Sequence, residues 1–272
     1  MSKKRSKQTS IAEWCAADSK SPVKRRYILL IGPPRSGTTL LASMIGCHTE
    51  IGMLNEDITG RWRRRILGKQ ITGTKLCVPN QIRLRRRHYL AFRLFKKVGL
   101  IAEAPRSIFS IEEYLEISNL KVIAIIRNGN DVVSSIMRRG GNSLKVASRR
   151  WSEAVNTIYD VKQRYSDRVL VLTFEGLVTS PEVNLKKICN FLDVCFEERM
   201  LEGYKYTPRY QEAKINEEKV NRYKNETVDH KLSAKYPMAV ERYDSLVMNN
   251  VSTANDAPTE ATTREVFSER AT

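Results

Sequence analysis

Short, uninterrupted apolar runs alternate along this chain with longer stretches whose apolar residues recur at helical spacing. Tyr27–Ile31 (YILLI) is stopped by Gly32-Pro33-Pro34, and Lys121–Ile126 (KVIAII) runs into Arg127. Runs of this length without polar alternation predict strands covered on both faces. Ile71–Leu76 and Arg168–Phe174 (RVLVLTF) predict two more. Between them, Thr38–Cys47 reads as a helix, and a basic helix is predicted from about Pro79 to Lys97. Another helix is predicted from about Asn130. Trp151, Val155, Ile158, Val161 and Tyr165 mark one face of a further helix, and Pro181 opens the next, to Leu192. Strands alternating with helices predict an α/β fold of three layers, a central, mostly parallel sheet flanked by helices.

The ends of the chain differ from this pattern. Residues 1–25 are polar and Lys-rich and read as a flexible basic arm. Residues 249–272 have almost no apolar periodicity and read as a disordered tail, leaving one domain over 26–248. The longest apolar run is far below the roughly 20 residues of a membrane span, and no apolar segment follows the basic N-terminus. The expectation is a soluble, cytoplasmic protein. Five cysteines without CxxC spacing and three scattered histidines argue against a disulfide framework, a zinc ribbon or a His-based metal site.

Charge is distributed unevenly. The net charge is +17, yet residues 1–100 hold 22 basic and 5 acidic side chains while residues 101–272 hold 25 of each. From Ile58 to Val98 there is no acidic residue. Such a surplus points to an anionic partner, without saying which.

The segment Gly32–Thr39 (GPPRSGTT) lies between the first predicted strand and the first predicted helix. There a chain turns backbone N–H groups toward an anion at a helix N-terminus. Gly37 permits close approach, Arg35 offers a charge-assisted contact, and Thr38 and Thr39 add hydroxyls. The Gly32-to-Gly37 spacing is that of a P-loop, but Thr38 stands where a nucleotide-binding P-loop carries Lys. Arg127 leaves a buried strand at the sheet edge where open α/β folds bind ligands, and Ser135 follows on the next helix. Together these two suit a phosphate monoester; the alternative is that Arg127 merely pairs with Asp131.

PPRSGTTLL, IIRNGNDVVSS (Ile125–Ser135) and VLTFEGLVTSPEVNLKKICNFL (Val171–Leu192) occur in the order seen in sulfotransferases. Those enzymes use 3′-phosphoadenosine 5′-phosphosulfate (PAPS) and release 3′,5′-ADP. The resemblance covers most of residues 27–200 and is nearest the branch with the protein-tyrosine and other Golgi-type enzymes and bacterial relatives. It implies the P-loop NTPase-like sulfotransferase fold, no metal, and transfer of a sulfuryl group to an acceptor hydroxyl. It further implies that Arg35, Ser36, Gly37, Thr38 and Thr39 hold the 5′-phosphosulfate and that Arg127 and Ser135 hold the 3′-phosphate. Lys214 or Arg222, in EAKINEEKVNRYKNE, resembles the family's late basic segment, with Tyr223 where Trp is commoner.

The same resemblance maps the general base to Glu56 in LNEDI, with Asp57 as substitute and His48 or His88 as rivals. The basic surroundings of Glu56 favour the ionised carboxylate that a base requires. Lys75 resembles a lysine that stabilises charge on the leaving phosphate. The runs Arg61–Arg65 and Arg83–Arg87 exceed what the cofactor needs and suggest an acidic acceptor, such as a glycan, a peptide or a small metabolite. A P-loop-like nucleotide kinase or NTPase and a basic nucleic-acid-binding protein are the competing readings.

Overall fold

The computed structural model describes residues 26–56, 68–84, 110–206, 218, 220–223 and 225–255. Its centre is a five-stranded sheet in the order β2-β3-β1-β4-β5, with every neighbouring pair parallel. The strands are β1 (Arg26–Gly32), β2 (Ile51–Asn55), β3 (Ile71–Cys77), β4 (Leu120–Ile126) and β5 (Val169–Thr173). The helices are α1 (Thr38–Gly46), α2 (Ile111–Leu115), α3 (Gly129–Gly140), α4 (Leu144–Arg164), α5 (Phe174–Thr179), α6 (Pro181–Leu192), α7 (Glu226–Lys235) and α8 (Pro237–Asn255).

Successive residues of a strand point to opposite faces, and a helical layer covers each face. Leu29 and Ile31 of β1 join Val122, Ala124 and Ile126 of β4 in a core completed by Ile158 and Val161 of α4. Ile28 and Leu30 join Ile123 and Ile125 in a second core, with Leu41 and Ile45 of α1 and Leu185 and Ile188 of α6. Both faces being covered explains why these strands read as unbroken apolar runs.

The parallel arrangement sends the carboxyl ends of all five strands to one edge. The chain builds the sheet on one side of β1, through β2 and β3, and then crosses to β4 and β5 on the other. The loops after β1 and β4 therefore part at a switch point, where a crevice opens.

Four predicted strands are present within a residue or two, as are the helices read at Thr38, Asn130, Trp151 and Pro181. At Pro79, where a helix was expected to begin, the chain forms a turn instead. The N–H groups of Gln81 and Ile82 both donate to the Cys77 carbonyl, and Gln81 Oε1 accepts from the Cys77 N–H at 2.7 Å. This closes a turn, Ile82 is buried in the core, and Arg83 bridges to Ser110. Residues 85–97 of that predicted helix lie outside the described residues. Strand β2 was not foreseen, and α8 continues past Asn249, where the sequence suggested a tail, to Asn255.

Candidate active site

The loop after β1 is shaped by close packing. A Cβ on Gly32 would meet the Ile125 carbonyl oxygen at 2.5 Å, and one on Gly37 would meet Phe174 Cδ2 at the same distance. Gly37 has φ +86°, and Arg35, which is not glycine, has φ +74°. Left-handed conformations at a non-glycine cost energy and gather where a loop has a binding task. Ser36 is buried, with its Oγ donating to the Pro33 carbonyl at 2.7 Å and lying 3.3 Å from that of Ile125. Its N–H also donates to Pro33, so its polar groups hold the loop's shape. Thr38 is buried with its hydroxyl near Cys77 Sγ, and Thr39, in the first turn of α1, is half-buried.

Arg127, directly after β4, is held from several directions. Its Nη1 donates to the Arg35 carbonyl at 3.2 Å and its Nη2 to Asp131 Oδ2 at 3.0 Å, while its guanidinium lies 4.2 Å above the Phe174 ring. Trp151 Nε1 donates to its carbonyl oxygen at 3.1 Å, and the next N–H, of Asn128, donates to Glu175 Oε1 at 3.0 Å. Burial pushes the Glu175 carboxyl above its ordinary range, and the Asn128 N–H and Arg127 pull it back in part.

Two segments a hundred residues apart meet here. Arg35 Nε donates to Ser135 Oγ at 3.0 Å. A cavity of about 260 Å³ opens beside them, lined by Arg35, Arg127, Ser135, Arg138, Arg139, Arg222 and Tyr223. Five guanidinium groups and no carboxylate among the lining residues make this an anion site in chemical character. The sequence reading missed Arg138 and Arg139. They fall three and four positions beyond Ser135, which on a helix is the same face, and that spacing was the available signal.

On the other side of the loop, β2 ends beside Lys75 of β3. Asn55 is in register with Lys75, and Glu56 follows. Lys75 is 1% exposed, and its Nζ lies 2.7 Å from Glu56 Oε1 in a salt bridge. Glu56 has φ +59°, held by its N–H donating to the Lys75 carbonyl at 2.9 Å. Cys77, two residues along β3, shares the Lys75 face and touches Thr38. Burial pushes the Cys77 thiol up, against the pull of the Lys75 ammonium and the Thr38 hydroxyl. The Glu56–Lys75 pair is therefore joined through Cys77 to the first turn of α1.

The other candidates are placed as follows. His48 is buried, its Nε2 at 2.8 Å from the Cys195 carbonyl and its Nδ1 accepting from the Glu50 N–H at 3.0 Å, so both ring nitrogens are engaged. Arg83 Nε donates to the Pro79 carbonyl. Lys214, Asp57, His88, Arg61–Arg65 and Arg85–Arg87 lie outside the described residues. Among the described residues no group of His, Cys, Asp and Glu is placed to hold a metal ion, and no helix is long and apolar enough to cross a membrane.

Known proteins share this fold. Residues 28–198 match the model of the sulfotransferase family, and the chain belongs to that family. Protein-tyrosine sulfotransferase A of Caenorhabditis elegans is 25% identical over 205 residues, which are 64% of this chain and 52% of that protein. The protein-tyrosine sulfotransferase of Drosophila melanogaster is 24% identical over 199 residues, 64% of this chain and 39% of that one. This chain thus spans about half or less of these relatives. Among solved structures, the sulfotransferase domain from the curacin biosynthetic pathway superposes with a TM-score of 0.50 at 18% identity, covering 78% of this chain and 97% of that one. The corresponding domain of the Synechococcus PCC 7002 olefin synthase gives 0.51 at 18%, covering 75% and 90%. At that identity the likeness is one of fold.

Proposed function

We propose that this protein transfers a sulfuryl group from PAPS to an acceptor hydroxyl. The observation that carries the reading is the meeting of the GPPRSGTT loop with Arg127 and Ser135 at one arginine-lined cavity, through the Arg35–Ser135 contact of 3.0 Å. A donor with phosphate at both ends of its ribose needs two anion sites, and this edge offers a glycine-bearing loop beside a cluster of guanidinium groups. Bound there, PAPS supplies a sulfuryl group activated by its anhydride bond to phosphate. The loop from Arg35 to Thr39 holds the 5′ end, chiefly through Arg35, the α1 N-terminus and Thr39. Arg127, Ser135 and Arg222 hold the 3′-phosphate, together with Arg138 and Arg139.

Glu56 is the general base in this reading: its carboxylate takes the proton from the acceptor hydroxyl. The salt bridge to Lys75 keeps that carboxylate aimed until the proton arrives. Once Glu56 is protonated it no longer balances the Lys75 ammonium. The buried positive charge is then available to the phosphate oxygen that leaves, when charge develops on it. His48 is a weaker candidate because its ring nitrogens are both committed to the backbone.

The acceptor in this proposal is anionic. The arginine runs Arg61–Arg65 and Arg83–Arg87 support it, and the curated relatives are named for protein tyrosine. A tyrosine in an acidic peptide is therefore the first acceptor to assay, beside an anionic glycan and a small hydroxyl compound. A kinase reading is disfavoured by Thr38 at the P-loop lysine position.

Calorimetric titration with 3′,5′-ADP and ATP side by side tests the cofactor, and radiolabelled PAPS tests transfer. The expected result is 3′,5′-ADP binding at least about tenfold tighter than ATP, since a charge-assisted phosphate contact is worth about that factor. ATP binding more tightly, or no binding of 3′,5′-ADP, would reverse the assignment.

A further inference from the structure

Asp131 is completely buried, and the transfer chemistry gives it no part. Its two oxygens serve different partners. Oδ2 accepts from Arg127 Nη2 at 3.0 Å, and Oδ1 accepts from the backbone N–H of Tyr223 at 2.9 Å. These partners line the arginine-rich cavity from two separate segments, each a wall of it: Arg127 follows β4, and Tyr223 belongs to the segment before α7. A carboxylate that served only to pair with Arg127 would have no need of the second wall.

The rest of that wall depends on the same hook. The Tyr223 ring faces the Arg222 guanidinium at 5.7 Å and that of Arg138 at 5.0 Å, and its hydroxyl accepts from Arg138 Nη1. The residue before Asp131 holds the chain just beyond: Asn130 Nδ2 donates to Asp229 Oδ2 at 2.9 Å and lies 3.3 Å from the Asn225 carbonyl. The first turn of α3 therefore fastens Tyr223, Asn225 and Asp229 with two consecutive side chains. Since Asp131 pairs with Arg127, that arginine acts as a held donor group, and Arg35, Arg138 and Arg222 add further guanidinium groups to the cavity lining.

We infer that Asp131 is a positioning residue that ties the two walls together, so that Arg127 and Arg222 converge on one terminal phosphate. The inference rests on the PAPS reading. It makes the effect of each wall conditional on the other, which separate phosphate contacts would not do.

The test compares binding of 3′,5′-ADP with that of ADP, which lacks the 3′-phosphate, for wild type, Asp131→Asn, Arg222→Ala and the double variant. Asp131→Asn should weaken 3′,5′-ADP by about 10- to 100-fold and ADP by less than about threefold, the range expected for misaligned charge-assisted bonds. Arg222→Ala should cost about tenfold alone and almost nothing in the Asp131→Asn background. Additive losses, or an unchanged affinity in Asp131→Asn, overturn the inference. A wild type that does not distinguish 3′,5′-ADP from ADP instead overturns the cofactor reading, and this inference with it. Should Asp131→Asn not fold, Tyr223→Pro and Tyr223→Ala replace it, because both lose the ring and only proline loses the N–H. A further loss of about fivefold in the proline variant supports the hook, and equal affinities overturn it.

Discussion

The Glu56–Lys75 pair predicts an asymmetry in stability that can be separated from its part in turnover. Lys75 is 1% exposed, whereas the Glu56 side chain is 31% exposed. Glu56→Ala therefore strands an ammonium where water cannot reach it. Removing one partner of a fully buried pair costs about 3–5 kcal/mol, and the partial exposure of Glu56 lowers this to about 2–4 kcal/mol. Lys75→Met leaves a carboxylate that water can solvate and puts an apolar side chain of similar length in its place, costing about 1 kcal/mol or less. The double variant should lie near Lys75→Met, not at the sum, because no charge is left unbalanced. Urea unfolding of all four proteins at neutral pH measures this through the transition midpoints. Equal losses in the two single variants, or an additive double variant, would refute the reasoning. Turnover should follow a different order: Glu56→Gln keeps an oxygen for Lys75 and loses about 1 kcal/mol of stability, but transfer should drop by about 10²–10⁴-fold. Full transfer activity in Glu56→Gln removes Glu56 as the base.

Two other perturbations test the surroundings of the site. Gly37→Ala places a methyl group 2.5 Å from Phe174 Cδ2 at φ +86°. The conformation and the collision together should cost about 2–4 kcal/mol, and 3′,5′-ADP affinity should weaken because Phe174 carries Arg127; an unchanged melting temperature and affinity would contradict this. For Glu175, burial raises the folded-state pKa above the ordinary 4.5, so the unfolded chain ionises first and binds fewer protons across that interval. Its contribution to stability is present at low pH and is lost as pH rises from about 4.5 through the folded value. Glu175→Gln should then gain stability relative to wild type over that window and level off above it. A difference between the two proteins that does not change with pH would show that Glu175 carries no such shift.

Much of this organisation was legible in the chain because the relevant signals are local. Strands β1 and β4 are covered on both faces and so are written as unbroken apolar runs. The turn residues Gly32 and Gly37 and the proline opening α6 announce their elements directly. Strand β2 escaped notice because Ile51–Asn55 is short, lies at the sheet edge and includes Gly52. The turn at Pro79, where a helix was expected to begin, is closed by the Cys77 and Gln81 hydrogen bonds, which periodicity does not register. In the site, Arg35, Arg127, Ser135 and Arg222 were nameable and are brought to one cavity. Arg138 and Arg139 were not, since exposed arginines on a helix have the same pattern whether they face a ligand or only water.

The order of apolar and polar residues determined the α/β alternation, the glycine loop after β1 and the family to which the chain belongs. Those properties depend on backbone preferences and burial, which act over a few residues and leave a periodic trace. Tertiary structure alone decided that Asp131 holds Arg127 with one oxygen and Tyr223 with the other, and that Lys75 is spent on Glu56. It likewise set Arg35 against Ser135. These contacts join residues up to a hundred positions apart, and their energies depend on distance, burial and the number of donors each oxygen receives. Charge in the sequence is a count; only folding fixes which charges neutralise one another and which remain to hold an anion.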